Sequence, residues 1–263
     1  MAQLSCPFCG FGRSWVVRGK KHKCRSCRRE FGGNAYPVTG FRVTANVWKK
    51  AVATFLRERT ERRIAEEAGV SIKTAQKMAH RIRQVMAAEV PPPFAGPVEM
   101  DETYVGGQRK NKKLHIRRIK AKSGHGTDKL PIVGLFCRAT GRVFVDVEPR
   151  KLDVGYVFKT LQERILAGSQ VYTDGFKMYR GMKKIGYDHE FVDHDGGEYV
   201  RGEIHTNNIE GFWGILKRKL GCIGGMRRGR LNLFVAEIVW KFNHRNQALT
   251  DREKALMKLL TGK

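Results

Sequence analysis

The chain has 263 residues, and its 51 Lys and Arg against 25 Asp and Glu give a formal net charge of +26. This length can hold one large domain with smaller ones, and the positive excess indicates a polyanionic partner. No apolar stretch approaches the ~20 residues that a bilayer span needs, and no secretory or lipidation signal is evident. We therefore expect a soluble, cytoplasmic, nucleoid-associated protein and no contact with a membrane.

Residues 1–38 contain two Cys-x-x-Cys pairs, which are separated by fourteen residues. The candidate ligands are Cys6, Cys9, Cys24 and Cys27. Two pairs at this spacing predict a zinc ribbon with one structural Zn²⁺, whose binding would supply the folding free energy of a segment poor in apolar residues. The alternative is two disulfides, which a reducing cytosol disfavours. Because the ribbon is rich in Arg and Lys, we expect it to contact nucleic acid or another partner.

Residues 40–90 show helical periodicity throughout. Thr44 can cap a first helix, and a second short helix ends at Gly69. Ser71 can cap the helix that follows, so the pattern predicts a helix-turn-helix DNA-binding domain. The exposed face of its last helix supplies the candidate DNA-binding residues Lys73, Thr74, Gln76 and Lys77. The alternative is an ordinary helical bundle with solvated charges.

A stiff proline-rich linker at 90–97 separates this region from a pattern of strands and helices over residues 98–250. Strands are predicted at 98–105, 130–138, 142–148, 170–173 and 187–192, and helices at 153–166, 206–219 and 231–246. Three strands that come first, followed by alternating strands and helices, indicate an α/β domain with a mixed sheet flanked by helices.

Two basic segments interrupt this domain. The loop from Gly106 to Lys129 contains nine Lys or Arg, Lys129 included, and one acid, Asp128, so we expect it to become ordered on phosphate. The alternative is a solvated surface loop. A second basic cluster contributes Arg227 and Arg228 as further candidate DNA-binding residues.

Three acidic residues are predicted to converge. Asp101 and Asp174 lie on or at the end of predicted strands, and Glu210 lies on a helix 36 positions after Asp174. Carboxylates from separate elements are what a two-metal phosphoryl-transfer site requires, and their oxygens suit Mg²⁺ or Mn²⁺. Lys217 follows Glu210 by two helical turns and shares its face. The alternative for Glu210 is a solvated helical side chain.

Four residues near these acids are considered as further ligands or DNA contacts. Strand alternation turns Glu102 away from the face of Asp101, which sets it aside as a ligand. Glu99 shares the Asp101 face and is a further candidate. His205 and Asn207 are candidates for contacting DNA or orienting Glu210.

These residues resemble a known family. The sequences MDETYVGG around Asp101, TDG around Asp174, and HTNNIEGFWGILKR around Glu210 and Lys217 are similar to those of ISXO2-like insertion-sequence transposases. The resemblance implies a ribonuclease-H-like catalytic domain with Asp101, Asp174 and Glu210 as metal ligands, Lys217 as the added basic residue and two Mg²⁺ or Mn²⁺ ions. Some members have Asn where this chain has Glu210.

Such a transposase would cleave double-stranded DNA at the terminal repeats of its element and join the 3′-OH to target DNA, as a homo-oligomer on DNA by analogy. Two alternatives remain open at this stage. A DNA-binding regulator or inactive derivative would not depend on Asp101 or Asp174. A structure-specific nuclease on the same fold would cleave DNA without joining it.

Overall fold

The computed structural model describes residues 6, 8–9, 11–18, 21–32, 37–106, 114, 129–147, 152–179, 181–193, 196–197, 200–223 and 228–262. Most of the predicted basic loop between Gly106 and Lys129 lies outside these residues, as does Arg227; of Arg228 only the backbone is described. Within the described part, no helix has the length and apolar character needed to cross a bilayer. The chain divides into two compact units: residues 1–88 with 246–263, and residues 89–245.

The first unit begins with a small antiparallel sheet. Its strands are β1 (Ser14–Val17), β2 (Lys21–Cys24) and β3 (Glu30–Gly32), in that order across the sheet. The buried core beneath it is formed by Cys6, Cys24 and Phe31. So few apolar side chains bury little surface, so this sheet needs a further source of stability such as a bound metal.

Three helices follow: α1 (Ala45–Leu56), α2 (Glu61–Ala68) and α3 (Ile72–Ala88). Gly69 adopts the left-handed conformation that ends α2, with φ +66°. The Ser71 hydroxyl accepts a hydrogen bond from the Thr74 N–H at 3.2 Å at the start of α3. The helices and the turn at Gly69 follow the predicted pattern, and most of their apolar side chains are buried, with Ile72 at the start of α3 an exposed exception.

The second unit is built on a five-stranded sheet. Its elements are β4 (Val98–Val105), β5 (Leu130–Cys137), β6 (Arg142–Val147), α4 (Val154–Arg164), β7 (Gln170–Asp174), β8 (Asp188–Val192), α5 (Asn207–Cys222) and α6 (Leu231–Asn243). The strand order is β6-β5-β4-β7-β8; the first three strands are antiparallel, and β7 and β8 run parallel to β4. This is the ribonuclease-H-like arrangement, so the predicted fold class is confirmed.

Helices cover both faces of this sheet, and β5, which lies between β6 and β4, is buried along almost its whole length. Val133 and Leu135 pack in the cluster that includes α4, whereas Ile132 and Phe136 pack with α5 and α6. This alternation follows from the two-residue period of a strand. Phe94, in the segment predicted as a linker, also packs in the α4 cluster.

A last helix, α7 (Leu249–Thr261), returns to the first unit and contacts α1 and α3. Leu256 and Leu260 are its buried residues. The sequence did not predict this helix, because its apolar stripe is short. Its partners also lie more than 150 positions earlier in the chain, beyond the reach of local periodicity.

Candidate active site

Three carboxylates form a cluster at one edge of the large sheet. Asp101, Glu102 and Asp174, the carboxylate cluster, each place an oxygen within 4.8 Å of the other two. Asp174 is the last residue of β7, and β4 pairs with β7 only at residues 98–99. Because the two strands no longer pair beyond that point, the side chains of Asp101 and Glu102 can approach the end of β7.

Glu102 is the member that strand alternation had set aside. Its carboxylate accepts a hydrogen bond from the hydroxyl of Tyr179, which is buried on the α4 side of the sheet, so Glu102 does face away from α5. One of its carboxylate oxygens nevertheless reaches the cluster, because β7 does not pair with β4 beyond residue 99. The adjacent acidic pair at residues 101 and 102 was the only sequence signal for it.

Burial and repulsion between neighbouring carboxylates disfavour the charged forms of Asp101 and Glu102. Burial raises the pKa of Asp101 well above its usual range, and the charges of Glu102 and Asp174 raise it further, while the Trp213 hydrogen bond opposes them. Burial likewise raises the pKa of Glu102 to about 7, with Asp174 adding to the shift and the Tyr179 hydrogen bond opposing it. Three crowded carboxylates of this kind suit a divalent cation, which would stabilise their charged forms.

Helix α5 lies against the cluster through Trp213. The indole Nε1 donates a hydrogen bond to Asp101 Oδ2 at 2.9 Å. Gly134, the antiparallel partner of Asp101 on β5, makes room for this indole, since a Cβ at that position would lie 2.3 Å from Trp213 Cη2. The glycine therefore permits the contact between α5 and Asp101.

Gly134→Ala is expected to lower the free energy of unfolding by about 1–3 kcal/mol, because the added methyl overpacks the Trp213 ring. Denaturant unfolding would measure the change. Gly214→Ala is the matched control, since a Cβ on this helical glycine of α5 meets no atom within 4 Å. The control should be neutral or gain up to about 1 kcal/mol from helix propensity. Equal losses in both variants would contradict the close-packing account.

Glu210 lies outside the carboxylate cluster in this structure. Its side chain is exposed on α5 and accepts a hydrogen bond from the Thr206 hydroxyl at 2.5 Å. It precedes Trp213 by three residues, which is roughly 4.5 Å along the helix axis. Lys217, two turns after Glu210, is also exposed. The structure thus brings Asp101 and Asp174 together and leaves Glu210 about one turn from the indole that touches Asp101.

The other candidates near this helix have different surroundings. Glu99 is fully buried and accepts hydrogen bonds from the first turn of α5 instead of joining the cluster. His205 Nδ1 lies 2.9 Å from Arg138 Nη2. Asn207, the first residue of α5, is exposed.

The four cysteines of the small sheet form a second candidate metal site. Their Sγ atoms all lie within 4.8 Å of one another, with 3.6 Å between Cys6 and Cys27 and 3.5 Å between Cys9 and Cys24. All six cysteines of the chain are free thiols. Ligands about 2.3 Å from a tetrahedral zinc are about 3.8 Å apart, so the cluster has nearly the required size.

The two shifted thiols of this site differ in their environment. Burial raises the pKa of the Cys6 thiol to about 12. The backbone N–H of Phe11 lowers the pKa of Cys9 to about 6. Metal binding needs thiolates, so a cation would have to displace the proton of Cys6.

The predicted DNA-binding residues of α3 have suitable exposure. Lys73, Gln76 and Lys77 are exposed and Thr74 is partly so, whereas Ala75, Met78 and Ala79 on the opposite face are buried.

Comparisons with known proteins find a transposase domain and relatives linked to transposition. The model of the ISXO2-like transposase domain matches residues 93–243. An uncharacterised protein in the transposable element ISH50 of Halobacterium salinarum is 30% identical over 226 residues, which cover 82% of this chain and 76% of that protein. An uncharacterised transposase-like protein of Haemophilus influenzae is 26% identical over 102 residues, or 39% of this chain and 80% of that protein.

Among solved structures, the HTLV-2 integrase catalytic core domain in complex with magnesium aligns with 59% of this chain and 90% of its own. The sequence identity is 12% and the TM-score 0.35. The fold assignment therefore rests on the strand order and directions of the large sheet.

Proposed function

We propose that this chain, which belongs to the ISXO2-like transposase family, cleaves DNA at the ends of an insertion sequence. It then joins the freed 3′-OH to target DNA. Double-stranded DNA is then both donor and target, and we expect the protein to act beside the nucleoid. The observation that carries the proposal is the carboxylate cluster, because three acidic side chains from two strands meet where β4 and β7 separate.

Asp101 and Asp174 are the proposed metal ligands, and their site suits two Mg²⁺ or Mn²⁺ ions. Two such ions, when bound, would activate the attacking oxygen and stabilise the leaving oxygen of an in-line displacement. Asp101 is oriented for this role by Trp213, and Asp174 by the Phe176 N–H, which donates to its Oδ1 at 3.2 Å. Since metals activate water and the 3′-OH directly, the proposal requires no covalent bond between protein and DNA.

Glu210 and Glu102 are both proposed to complete the ligand set. Glu102 already belongs to the cluster, whereas Glu210 would have to release the Thr206 hydroxyl and turn toward the cluster to become a ligand. Lys217 shares the face of Glu210 and would hold a phosphate oxygen as a point charge.

Glu210→Gln is expected to lower the cleavage rate by about 10²-fold or more, because a neutral amide is a weaker ligand for a hard divalent cation than a charged carboxylate. The measurement is single-turnover cleavage of a flanking duplex, meaning DNA taken from either side of the coding sequence, in Mg²⁺. Glu163→Gln, at an exposed position of α4, is the matched control and should cleave at the wild-type rate. A Glu210 variant as fast as this control would leave Asp101, Glu102 and Asp174 as the ligand set.

The first unit is proposed to hold the DNA. Four thiolates at the observed separations favour one structural Zn²⁺ in the ribbon. Lys73, Thr74, Gln76 and Lys77 on α3 are proposed to contact the duplex as in a helix-turn-helix domain. In the second unit, Arg227 and Arg228 are proposed as further DNA contacts. Because transposition brings two ends together, we expect a homo-oligomer on DNA.

A joining assay tests this function against its alternatives. Purified protein, Mg²⁺, a pre-cleaved flanking duplex with a labelled 3′-OH and a target plasmid should yield covalently joined product. Cleavage of intact duplex without joining would indicate a nuclease. Binding without either reaction would indicate a regulator that uses the first unit alone.

A further inference from the structure

Strand β4 carries a second carboxylate, Glu99, two residues before Asp101 on the same face. It is fully buried, four hydrogen-bond donors face its two oxygens, and His205 Nδ1 lies 3.5 Å from its Oε1. Its Oε2 accepts from the backbone N–H of Asn208 at 2.9 Å and of Ile209 at 3.0 Å. Its Oε1 accepts from Arg138 Nε at 2.7 Å and from Asn208 Nδ2 at 2.7 Å. Both carboxylate oxygens of Glu99 are therefore occupied by hydrogen bonds within the protein.

These bonds give α5 its N-terminal cap from a different element. The first N–H groups of a helix lack partners within the helix, and a residue such as Thr206 commonly supplies one. Here the Thr206 side chain makes no capping bond, and its hydroxyl donates to Glu210 instead. Glu99 therefore supplies the cap, and its negative charge also suits the positive end of the helix dipole.

Arg138 binds both Glu99 and the segment before α5. Its guanidinium lies over the Tyr172 ring, 4.5 Å from the centroid. It also donates hydrogen bonds to the backbone oxygens of Glu203 at 2.6 Å and His205 at 2.9 Å. The buried charge of Glu99 is thus paired, and the chain that leads into α5 is held at the same place.

Strand β4 therefore binds α5 through hydrogen bonds at two positions. Glu99 holds the N–H groups of Asn208 and Ile209, and Asp101 holds the indole of Trp213. Alternate residues of a strand are roughly 6.7 Å apart, and four residues of a helix advance by about 6 Å. The spacing of Glu99 and Asp101 on β4 therefore matches that of Ile209 and Trp213 on α5. Glu210 lies between them.

We propose that Glu99 is a positioning residue that fixes α5 along its axis, so that Glu210 can reach the carboxylate cluster. Glu99 itself contacts neither metal nor DNA. The proposal deepens the function proposed above, since it rests on the role given there to Glu210. Glu99→Gln keeps the size of the side chain but turns an NH₂ group toward N–H donors, which should release the first turn of α5.

The position of α5 can be followed without any activity. The chain has four tryptophans, and in protein labelled with 5-fluorotryptophan Trp213→Phe identifies the Trp213 resonance by ¹⁹F NMR. Glu99→Gln should shift or broaden this resonance and leave that of Trp48, in the first unit, unchanged. At saturating flanking duplex in Mg²⁺, the turnover of Glu99→Gln should fall by about 10²-fold, because a displacement of about 1 Å at the site has an effect of this size. The Kd of this variant for DNA should be unchanged.

Two further variants make the test decisive. Leu161→Ala removes a buried side chain of α4 on the opposite face of the sheet, so it should lose stability yet keep the Trp213 resonance and wild-type turnover well below its Tm. Asn208→Ala removes one donor to Glu99 at an exposed position, so it will fold, and it should change both readouts in the direction of Glu99→Gln but by less.

An unchanged Trp213 resonance in Glu99→Gln would overturn the proposal, as would a shifted resonance with wild-type turnover. Turnover lost in equal measure by Leu161→Ala would also overturn it, since lost stability would then explain both. If Glu99→Gln does not fold, Asn208→Ala decides by the same two readouts. Absence of cleavage by the wild-type protein would refute the proposed function, while the resonance would still show whether Glu99 positions α5.

Discussion

Asp174→Asn is expected to reduce Mg²⁺-dependent cleavage and joining by about 10³-fold or more while DNA binding stays at the wild-type level. Asp174 ends β7 and is one of the carboxylates within 4.8 Å of each other. Replacing it by an amide removes a charged ligand and also relieves part of the repulsion that, after burial and together with Glu102, raises the pKa of Asp101. The folded protein should therefore be at least as stable as wild type, so that lost activity would not reflect unfolding.

The matched control for this variant is Asp188→Asn, which makes the same chemical change at the exposed first residue of β8. The control should cleave and join at the wild-type rate, and both variants should bind the flanking duplex as tightly as wild type. If Asp174→Asn cleaved as fast as Asp188→Asn, the assignment of the metal site would be wrong.

Removal of zinc is expected to unfold the ribbon of the first unit. Structural zinc contributes about 10–16 kcal/mol in small zinc-binding domains, far more than the buried core of Cys6, Cys24 and Phe31 can supply. Cys24→Ser, or treatment with a chelator, should make residues 6–32 sensitive to limited proteolysis. The sheet of the second unit has its own core and should resist as before.

Cys222→Ser is the control for this experiment, because Cys222 is an exposed thiol on α5 that does not belong to the four-cysteine cluster. It should retain the zinc content and protease resistance of wild type. The zinc assignment would be refuted if the metal-free ribbon remained as resistant as the metal-loaded one, or if purified protein contained no zinc.

Local periodicity was enough to predict most elements of the fold. The strand predicted at 98–105 is observed as Val98–Val105, and the predicted helix around Glu210 begins within one residue of Asn207. These elements are amphipathic or fully apolar, so their sequence carries the signal. The position of α7 in the first unit could not be predicted, because the chain returns there only after the whole second unit.

The active site was predictable where it depends on strand ends and less so where it depends on how strands separate. Asp174 stands at the end of β7 as expected, whereas Asp101 lies in the middle of β4, beyond the two residues of that strand that pair with β7. The approach of Glu102 depends on β4 and β7 pairing at only two positions, and no local pattern encodes that. The capping role of Glu99 also escaped the sequence, because it joins residues 109 and 110 positions apart.

The central claim is that folding gathers Asp101 and Asp174 into a site for divalent cations, and Mn²⁺ binding tests it most directly. Electron paramagnetic resonance of free Mn²⁺, titrated into zinc-loaded protein, counts bound ions without relying on catalysis. We predict up to two bound ions in the wild-type protein with DNA, and loss of that binding in Asp174→Asn but not in Asp188→Asn. Equal Mn²⁺ binding by all three proteins would contradict the account.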